Sequence, residues 1–348
     1  MRAVVLCAGL GTRLRPLTNS WPKPAIPLLG QPLLRYTLAM LRGVGVQWVG
    51  INTHHLPKVM QAVASSECRR AGIQIELSHE PIIQGTAGGI RGFRNWLSDA
   101  PFLVLNGDIL FSFPLAPLLQ AHRDLGALAT MALMSMPSGE SYAAVETDAA
   151  GRIWRIAEKG TSDARPLQPW HFTGIHVLSP DIFDFMSKAG PEDINRDVYL
   201  RVIDKGLPLR GHPVDGYWSD LGTAARYLRT QDDLLSGRVS LASNPDASPF
   251  HQAREELPGC WLRGPANIEG AKITGPAFFD EAARLLSPAD AGPNVYLGPL
   301  AAAGPHTKLE HATVLDQTVL QPGENLMRAI AWGDKRLLSS DDSAPGCR

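Results

Sequence analysis

The chain has only four cysteines, at positions 7, 68, 260 and 347 of 348, and none forms a CxxC pair. Neither a zinc site nor a disulfide framework is indicated, and Cys7, inside an apolar run, reads as a small buried hydrophobe. Long hydrophobic stretches are missing too: no run approaches the ~20 residues of a membrane span. The first residues reach Gly9 and Arg13 too early for a signal peptide, so a cytoplasmic protein with no membrane partner is expected. Excess charge of either sign is absent. With 33 Lys and Arg against 34 Asp and Glu the formal charge is −1, which argues against a nucleic-acid partner and makes any bound anion small. His54 and His55 are adjacent, but no nearby cysteine or third histidine completes a metal site.

What is present is an ordinary globular composition, 44% hydrophobic, in a chain long enough for two domains. "AVVLCAG" from Ala3 ends an apolar run in glycine, the pattern of a buried parallel strand. Leucines at 34, 38 and 41 predict a helix, and "VQWVGIN" at 46 to 52 predicts a second strand. The alternation continues with strands at 73 to 77, 102 to 108 and 127 to 134 and helices between them. An α/β domain with a mostly parallel sheet follows. Shorter mixed strands between about 140 and 220 extend the sheet, and a helix from Gly222 to Gly237 closes the domain.

The polar stretch 238 to 256 with "SNPDASP" reads as a linker. Beyond it, blocks of six counted from Ala291 begin with a small or aliphatic residue in five of six cases. That period predicts a parallel β-helix over 257 to 336, with a disordered tail at 337 to 348.

"GLGTRLRPLT" from Gly9 to Thr18 leaves the first strand through closely spaced glycines, where backbone N–H groups can approach phosphate oxygens. Position 14 is Leu14, so the third glycine of a dinucleotide fingerprint is missing, and no G-K-[ST] ending makes a P-loop. Arg13 and Lys23 instead set two positive charges beside the turn, and Pro22 and Pro24 are expected to hold the lysine in an extended course. The segment reads as a polyphosphate cradle.

"GLGTRLRPLT" followed by "PKPAIPLLGQPLL" resembles the signature of the sugar-nucleotide pyrophosphorylases, which join a sugar 1-phosphate to a nucleoside triphosphate. The resemblance covers residues 1 to 236, with the motifs in family order, and implies a Rossmann-like catalytic domain over 1 to 237 and a short C-terminal left-handed β-helix. It implies that Arg13 and Lys23 act on the transferring phosphates and that Asp108, ending "FLVLNGD", and Asp220, in "GYWSDLGT", hold Mg²⁺. It places Ala8, Gly9, Gly11, Thr12, Glu80, Gly85, Thr86, Ala87 and Gly88 on the nucleotide, with "GTAGG" lying against the base. Asn106, Gly107, Glu158, Lys159, Thr173 and Gly174 fall on the sugar phosphate. The family often has Asn where Phe172 stands, a departure at one sugar contact.

The expected partners are therefore a nucleoside triphosphate and a sugar 1-phosphate, with a homo-oligomer through the β-helix an open option. "GTAGG" and the chain length look most like the mannose-1-phosphate guanylyltransferases. "FTGI" and "WSDLGT" look equally like the uridylyltransferase for N-acetylmuramate 1-phosphate and the heptose-1-phosphate guanylyltransferases. GTP with a mannose-like sugar is the expectation. The alternatives are the amino-sugar uridylyltransferase, a bifunctional acyltransferase using His306 or His311, and a silent sugar-nucleotide-binding regulator.

Overall fold

The structure, a computed structural model, describes residues 1–137, 139–161, 166–241 and 247–339. Of the expected disordered tail, everything from residue 340 on lies outside the described residues. The chain divides into two compact units. The first comprises Met1–Leu10, Pro22–Pro24 and Thr37–Trp218; the second comprises Gly11–Trp21, Ala25–Tyr36 and the chain from Ser219 onward.

In the first unit β1 (Arg2–Leu6), β2 (Trp48–Thr53), α1 (Pro57–Ala71), β3 (Gln74–His79), α2 (Gly85–Arg91) and β4 (Phe102–Asn106) build the centre. The four strands lie in the order β4-β1-β2-β3, all parallel. Ala3, Val4 and Val5 are fully buried, as an apolar run covered on both faces requires. Next come α3 (Ala116–Leu125), β5 (Ala129–Met134), β6 (Ala144–Thr147), β7 (Ile153–Ile156), β8 (Lys159–Gly160), β9 (Gln168–Leu178), α4 (Tyr199–Asp204) and β10 (Leu209–Pro213). β9 runs antiparallel to β4, β5 and β6, while β10 pairs parallel with β5, so the sheet is mixed. β9 loses register against β5 between Phe172 and His176, and there Gly174 takes φ +80°.

Leu6 ends β1 opposite Asn106 at the end of β4. The glycine turn and the "NGD" corner thus leave the same carboxyl edge of the sheet, where α/β folds bind ligands.

In the second unit Thr12–Leu14 and Leu17–Asn19 form 3₁₀ turns, and Pro27–Leu28 pairs with Gln31–Pro32 in a small hairpin. Helix α5 (Ala224–Leu235) is capped by Thr223, whose hydroxyl accepts from the Arg226 N–H at 3.2 Å. Short parallel strands follow. Cys260 lies opposite Ala277, Ala277 opposite Val295, Val295 opposite Ala312 and Ala312 opposite Ala329, steps of 17 or 18 residues. A second ladder joins Lys272, Asp290, Lys308 and Asn325, and a third joins Arg284, Ala302 and Val319, with the same steps.

The hexad-leading residues Ala291, Leu297, Ala303, Leu309 and Leu315 are all buried, so the six-residue period marks the inward side of these strands. The pairing starts at Cys260, well before the clear hexads. At the far end Lys335–Leu338 turns back antiparallel onto Asn325–Trp332 and covers an edge, so Leu337 and Leu338 are strand rather than tail. Among the described residues no helix is long and apolar enough to cross a membrane.

Candidate active site

Lys23 opens a 3₁₀ turn through Ala25 rather than an extended course, since the φ that Pro24 fixes suits that turn as well. Its ammonium lies 2.7 Å from Asp108 Oδ2, and its side chain is only 8% exposed against 39% for Asp108. Gly107 lets this corner close: a Cβ there would lie 2.8 Å from both Cys7 Sγ and the Leu6 carbonyl oxygen. Burial, with the nearby Asp108 charge, pushes the Cys7 thiol far up, so it stays protonated and apolar. Ala8 is buried and Gly9 exposed, which presents the Gly9 backbone at the edge of the sheet.

The "GTAGG" segment begins α2. Gly85 takes φ +71°, and its Cα faces the Glu192 carbonyl so closely that a Cβ would sit 2.5 Å from that oxygen. The Ala87 and Gly88 N–H groups donate to the same oxygen at 3.0 and 3.3 Å. Those two amides are therefore occupied within the chain. Thr86 does not cap its own helix; its hydroxyl accepts from Ile194 N–H at 2.8 Å and donates to Asp193 at 3.3 Å.

Glu80 is buried and spends both oxygens internally, accepting from Asn52 Nδ2 at 2.7 Å and Gln84 N–H at 2.8 Å. Asn52 in turn accepts from Cys7 N–H at 2.7 Å, so Glu80 ties the start of the "GTAGG" segment to the end of β1. Glu192 was not foreseen from the sequence. Burial would raise its carboxyl, but hydrogen bonds from Ser187 and Arg201 outweigh that and hold it below the usual carboxylate range.

Of the residues expected on the sugar phosphate, Glu158 is the second residue of a tight turn with positive φ at Ala157 and Glu158, and both Glu158 and Lys159 are exposed. Thr173 is buried, and its hydroxyl donates to the Ala132 carbonyl at 2.9 Å rather than pointing outward. Its own carbonyl accepts from Trp218 Nε1 at 2.8 Å. Gly174 allows Asn106 to pass, for a Cβ there would lie 2.6 Å from Asn106 Nδ2. Phe172 packs edge-on against His176 with ring centroids 5.4 Å apart, an apolar contact where the family's Asn would be polar.

The second unit holds the other charged group. Asp220 Oδ1 accepts from Arg226 Nη1 at 2.6 Å, and its Oδ2 lies 3.9 Å from Arg13 Nη2. Arg226 and Asp220 are each 15% exposed, whereas Arg13 is 62% exposed. Gly222 makes room, since a Cβ there would lie 2.7 Å from Arg13 Nη2. Gly11 takes φ +60° and its carbonyl accepts from Thr18 at 2.9 Å, which shapes the turn that leads into exposed Thr12 and Arg13.

No group of three or more His, Cys, Asp or Glu that could cage a metal occurs among the described residues. Mg²⁺ is commonly held by one or two carboxylates with substrate phosphates and water completing the shell; Asp108 in the first unit and Asp220 in the second are each a carboxylate beside a cationic side chain, the donor type such an ion takes. His54 is engaged elsewhere, its Nδ1 2.8 Å from the Glu80 carbonyl.

Comparison with known proteins agrees with this chemistry. The profile of the nucleotidyl transferase family matches residues 2–237. The chain is 28% identical to a UTP–glucose-1-phosphate uridylyltransferase of Synechocystis, over 96% of this chain and 87% of that one. It is 31% identical to a mannose-1-phosphate guanylyltransferase of Mycobacterium tuberculosis, over 80% and 79% of the two chains. A crystal structure from Bacillus anthracis, assigned as a glucose-1-phosphate thymidylyltransferase, shares the fold with a TM-score of 0.56 and 20% identity, over 66% of this chain and 93% of that one. The protein belongs to the nucleotidyl transferase family and is an enzyme of the sugar-1-phosphate nucleotidyltransferase kind, a group that works with a divalent metal.

Proposed function

We propose that the enzyme transfers the nucleotidyl group of GTP to mannose 1-phosphate or a related sugar 1-phosphate, with Mg²⁺ as the metal. A phosphate oxygen of the sugar attacks the α-phosphorus in line, a new P–O bond forms, the bond from the α-phosphorus to the bridging oxygen breaks, and pyrophosphate leaves. Such a transfer needs positioning and charge neutralisation more than covalent work by the protein. The observation that carries the reading is the nearly buried ammonium of Lys23, fixed 2.7 Å from Asp108 at the carboxyl edge of the sheet. A buried cation so held is a pre-positioned partner for developing phosphate charge.

Arg13, exposed and hinged on the Gly11 turn, reaches for the outer phosphates with its guanidinium fork. Bound Mg²⁺ supplies Lewis-acid neutralisation of the phosphate oxygens; Asp108 and Asp220 are the residues we assign to hold it. Ala8, Gly9, Gly11 and Thr12 take the phosphates, the outer edge of Gly85 to Gly88 takes the base with Glu80 behind it, and Asn106, Gly107, Glu158, Lys159, Thr173 and Gly174 surround the sugar phosphate. Residues 1–237 form the catalytic part and 257–336 a left-handed parallel β-helix. Three parallel ladders with steps of 17 or 18 residues, three hexads each, support that last assignment. Work in the cytoplasm fits the absence of any membrane-spanning helix among the described residues.

A second reading, a uridylyltransferase, is favoured by the relative that matches 96% of the chain, whose name is a UTP-dependent enzyme. Pyrophosphate release with each nucleoside triphosphate crossed against a panel of sugar 1-phosphates decides between them, with Asp108→Ala as control. Release with GTP and mannose 1-phosphate bears out the first reading, and release with UTP alone replaces it. No release from any pair, with nucleotide sugars still raising the melting temperature, makes the protein a silent binder.

A further inference from the structure

Helix α5 carries bonds in three directions within the second unit. In its first turn Arg226 holds Asp220 at 2.6 Å. The next residue, Tyr227, is buried and donates its hydroxyl to the Pro27 carbonyl, at the base of the small hairpin. One turn further on, Gln231 is fully buried. Its Nε2 donates to the carbonyls of Asn294 and Ala312 at 3.4 Å each, and its Oε1 accepts from the Thr313 hydroxyl. Asp232 Oδ2 lies 2.7 Å from His311 Nδ1. All four partners belong to the C-terminal strands and their turns.

The hairpin is pinned from the same side. Its tip, Leu29 and Gly30, has positive φ at both residues, 49° and 75°. A Cβ on Gly30 would lie 2.5 Å from Tyr296 Oη and 2.6 Å from Asp280 Oδ2. Asp280, itself buried, accepts from Tyr296 at 2.8 Å and from Arg263 at 3.1 Å. A capped helix held at three points in this way resists both rotation and sliding, and buried polar bonds of this kind are costly to break singly because the partner left behind is unsatisfied.

We propose that the C-terminal strands are a positioning brace for the reaction centre: through the Thr313–Gln231 bond they set helix α5, and through Arg226 they set Asp220 and the arginine beside it, Arg13. Gln231 and Thr313, both fully buried, are positioning residues. The proposal rests on the assigned roles of Asp220 and Arg13, and it gives the C-terminal strands a task in the transfer itself, distinct from acyl transfer.

Thr313→Val tests it, because valine keeps the shape and removes only the hydroxyl donor. We expect kcat to fall ~10-fold with KM for both substrates within about twofold, the loss expected of a small misplacement of reacting groups. Hydrogen exchange of the amides from 219 to 223 in the substrate-free protein should quicken, and Thr313→Ser should restore both. A Thr313→Val protein with a lowered melting temperature but wild-type kcat and wild-type exchange at 219 to 223 overturns the proposal. Should Thr313→Val not fold, Asp280→Asn carries the same readouts from the hairpin side. A wild-type protein without transferase activity would overturn the functional reading, while the exchange experiment would still decide the brace.

Discussion

Lys23 and Asp108 stand 85 residues apart in the chain and meet at 2.7 Å, the cation nearly buried and the carboxylate half open. In the proposed reaction, removing the ammonium takes away a fixed charge at the place assigned to the transferring phosphates. Lys23→Ala is expected to cost more than ~100-fold in rate, as loss of one pre-organised charge does elsewhere. Single-turnover product formation checks it. Because the pair shares one ion pair, Lys23→Ala and Asp108→Ala together should cost clearly less than the product of the single losses. An unchanged rate in Lys23→Ala would sink the assignment.

Gly222 is expected to be a position where one methyl group disarms a remote-looking arginine. An alanine Cβ would fall 2.7 Å from Arg13 Nη2, and an exposed, flexible side chain yields by swinging away. Gly222→Ala should therefore keep its melting temperature within about a degree or two yet lose ~10-fold or more in kcat/KM for the nucleoside triphosphate. Steady-state kinetics beside a thermal melt separate the two effects. A variant with intact kinetics would show that Arg13 need not point toward Asp220 for turnover.

Much of this was legible in the residues because the signals are local. Alternation of short apolar runs with helical spacing located the central strands, and a strand ending in "NGD" placed Asp108 at its carboxyl edge. The antiparallel insertion of β9 was not legible, since an apolar run does not state the direction of its neighbour. The hexads were visible only from Ala291, although the parallel pairing begins at Cys260, because the earlier strands put Phe279 and Cys260 inside where later ones put leucine and alanine. Arg226, Glu192 and Gln231 were missed for one reason: each acts through a partner that the fold, not the spacing, brings to it. Glu80 was found by its motif, but that both its oxygens would be bonded inside the chain was not legible, because Asn52 and the Gln84 amide are brought to it by the fold.

Stability should fall on mild acidification through two buried histidines. His122 is bonded to Thr130 and Ser179 and has its pKa lowered to about 4 by burial and then by Arg123; His176, beside Tyr199, is lowered to about 3 by burial. The unfolded chain takes up these protons near pH 6.5, before the folded one does. Stability is thus complete above pH 6.5 and declines as pH falls toward 4 and then 3, by up to about 1.4 kcal/mol per pH unit for each ring. Denaturant midpoints between pH 7 and pH 4.5 read this. His122→Gln should flatten the slope, and an equally steep curve in that variant would show that other groups dominate.

Gly85 and Gly9 allow two uses of glycine among the residues proposed for the nucleotide to be told apart. Gly85→Ala meets a backbone oxygen, that of Glu192, at 2.5 Å and must also hold φ +71°, so both strain and clash fall on the fold. It should lower the melting temperature and weaken every nucleotide together. Gly9 is different: a Cβ there meets nothing within 4 Å, so Gly9→Ala should fold and melt as the wild type does. Any loss of activity in Gly9→Ala then reports only what approaches the backbone from outside. If phosphate oxygens lie against that amide, the methyl group holds them off, and the nucleoside triphosphate KM should rise ~10-fold or more, as for a misplaced reacting group. Wild-type kinetics in Gly9→Ala would remove the phosphate from this turn and leave Arg13 and Lys23 to hold it alone.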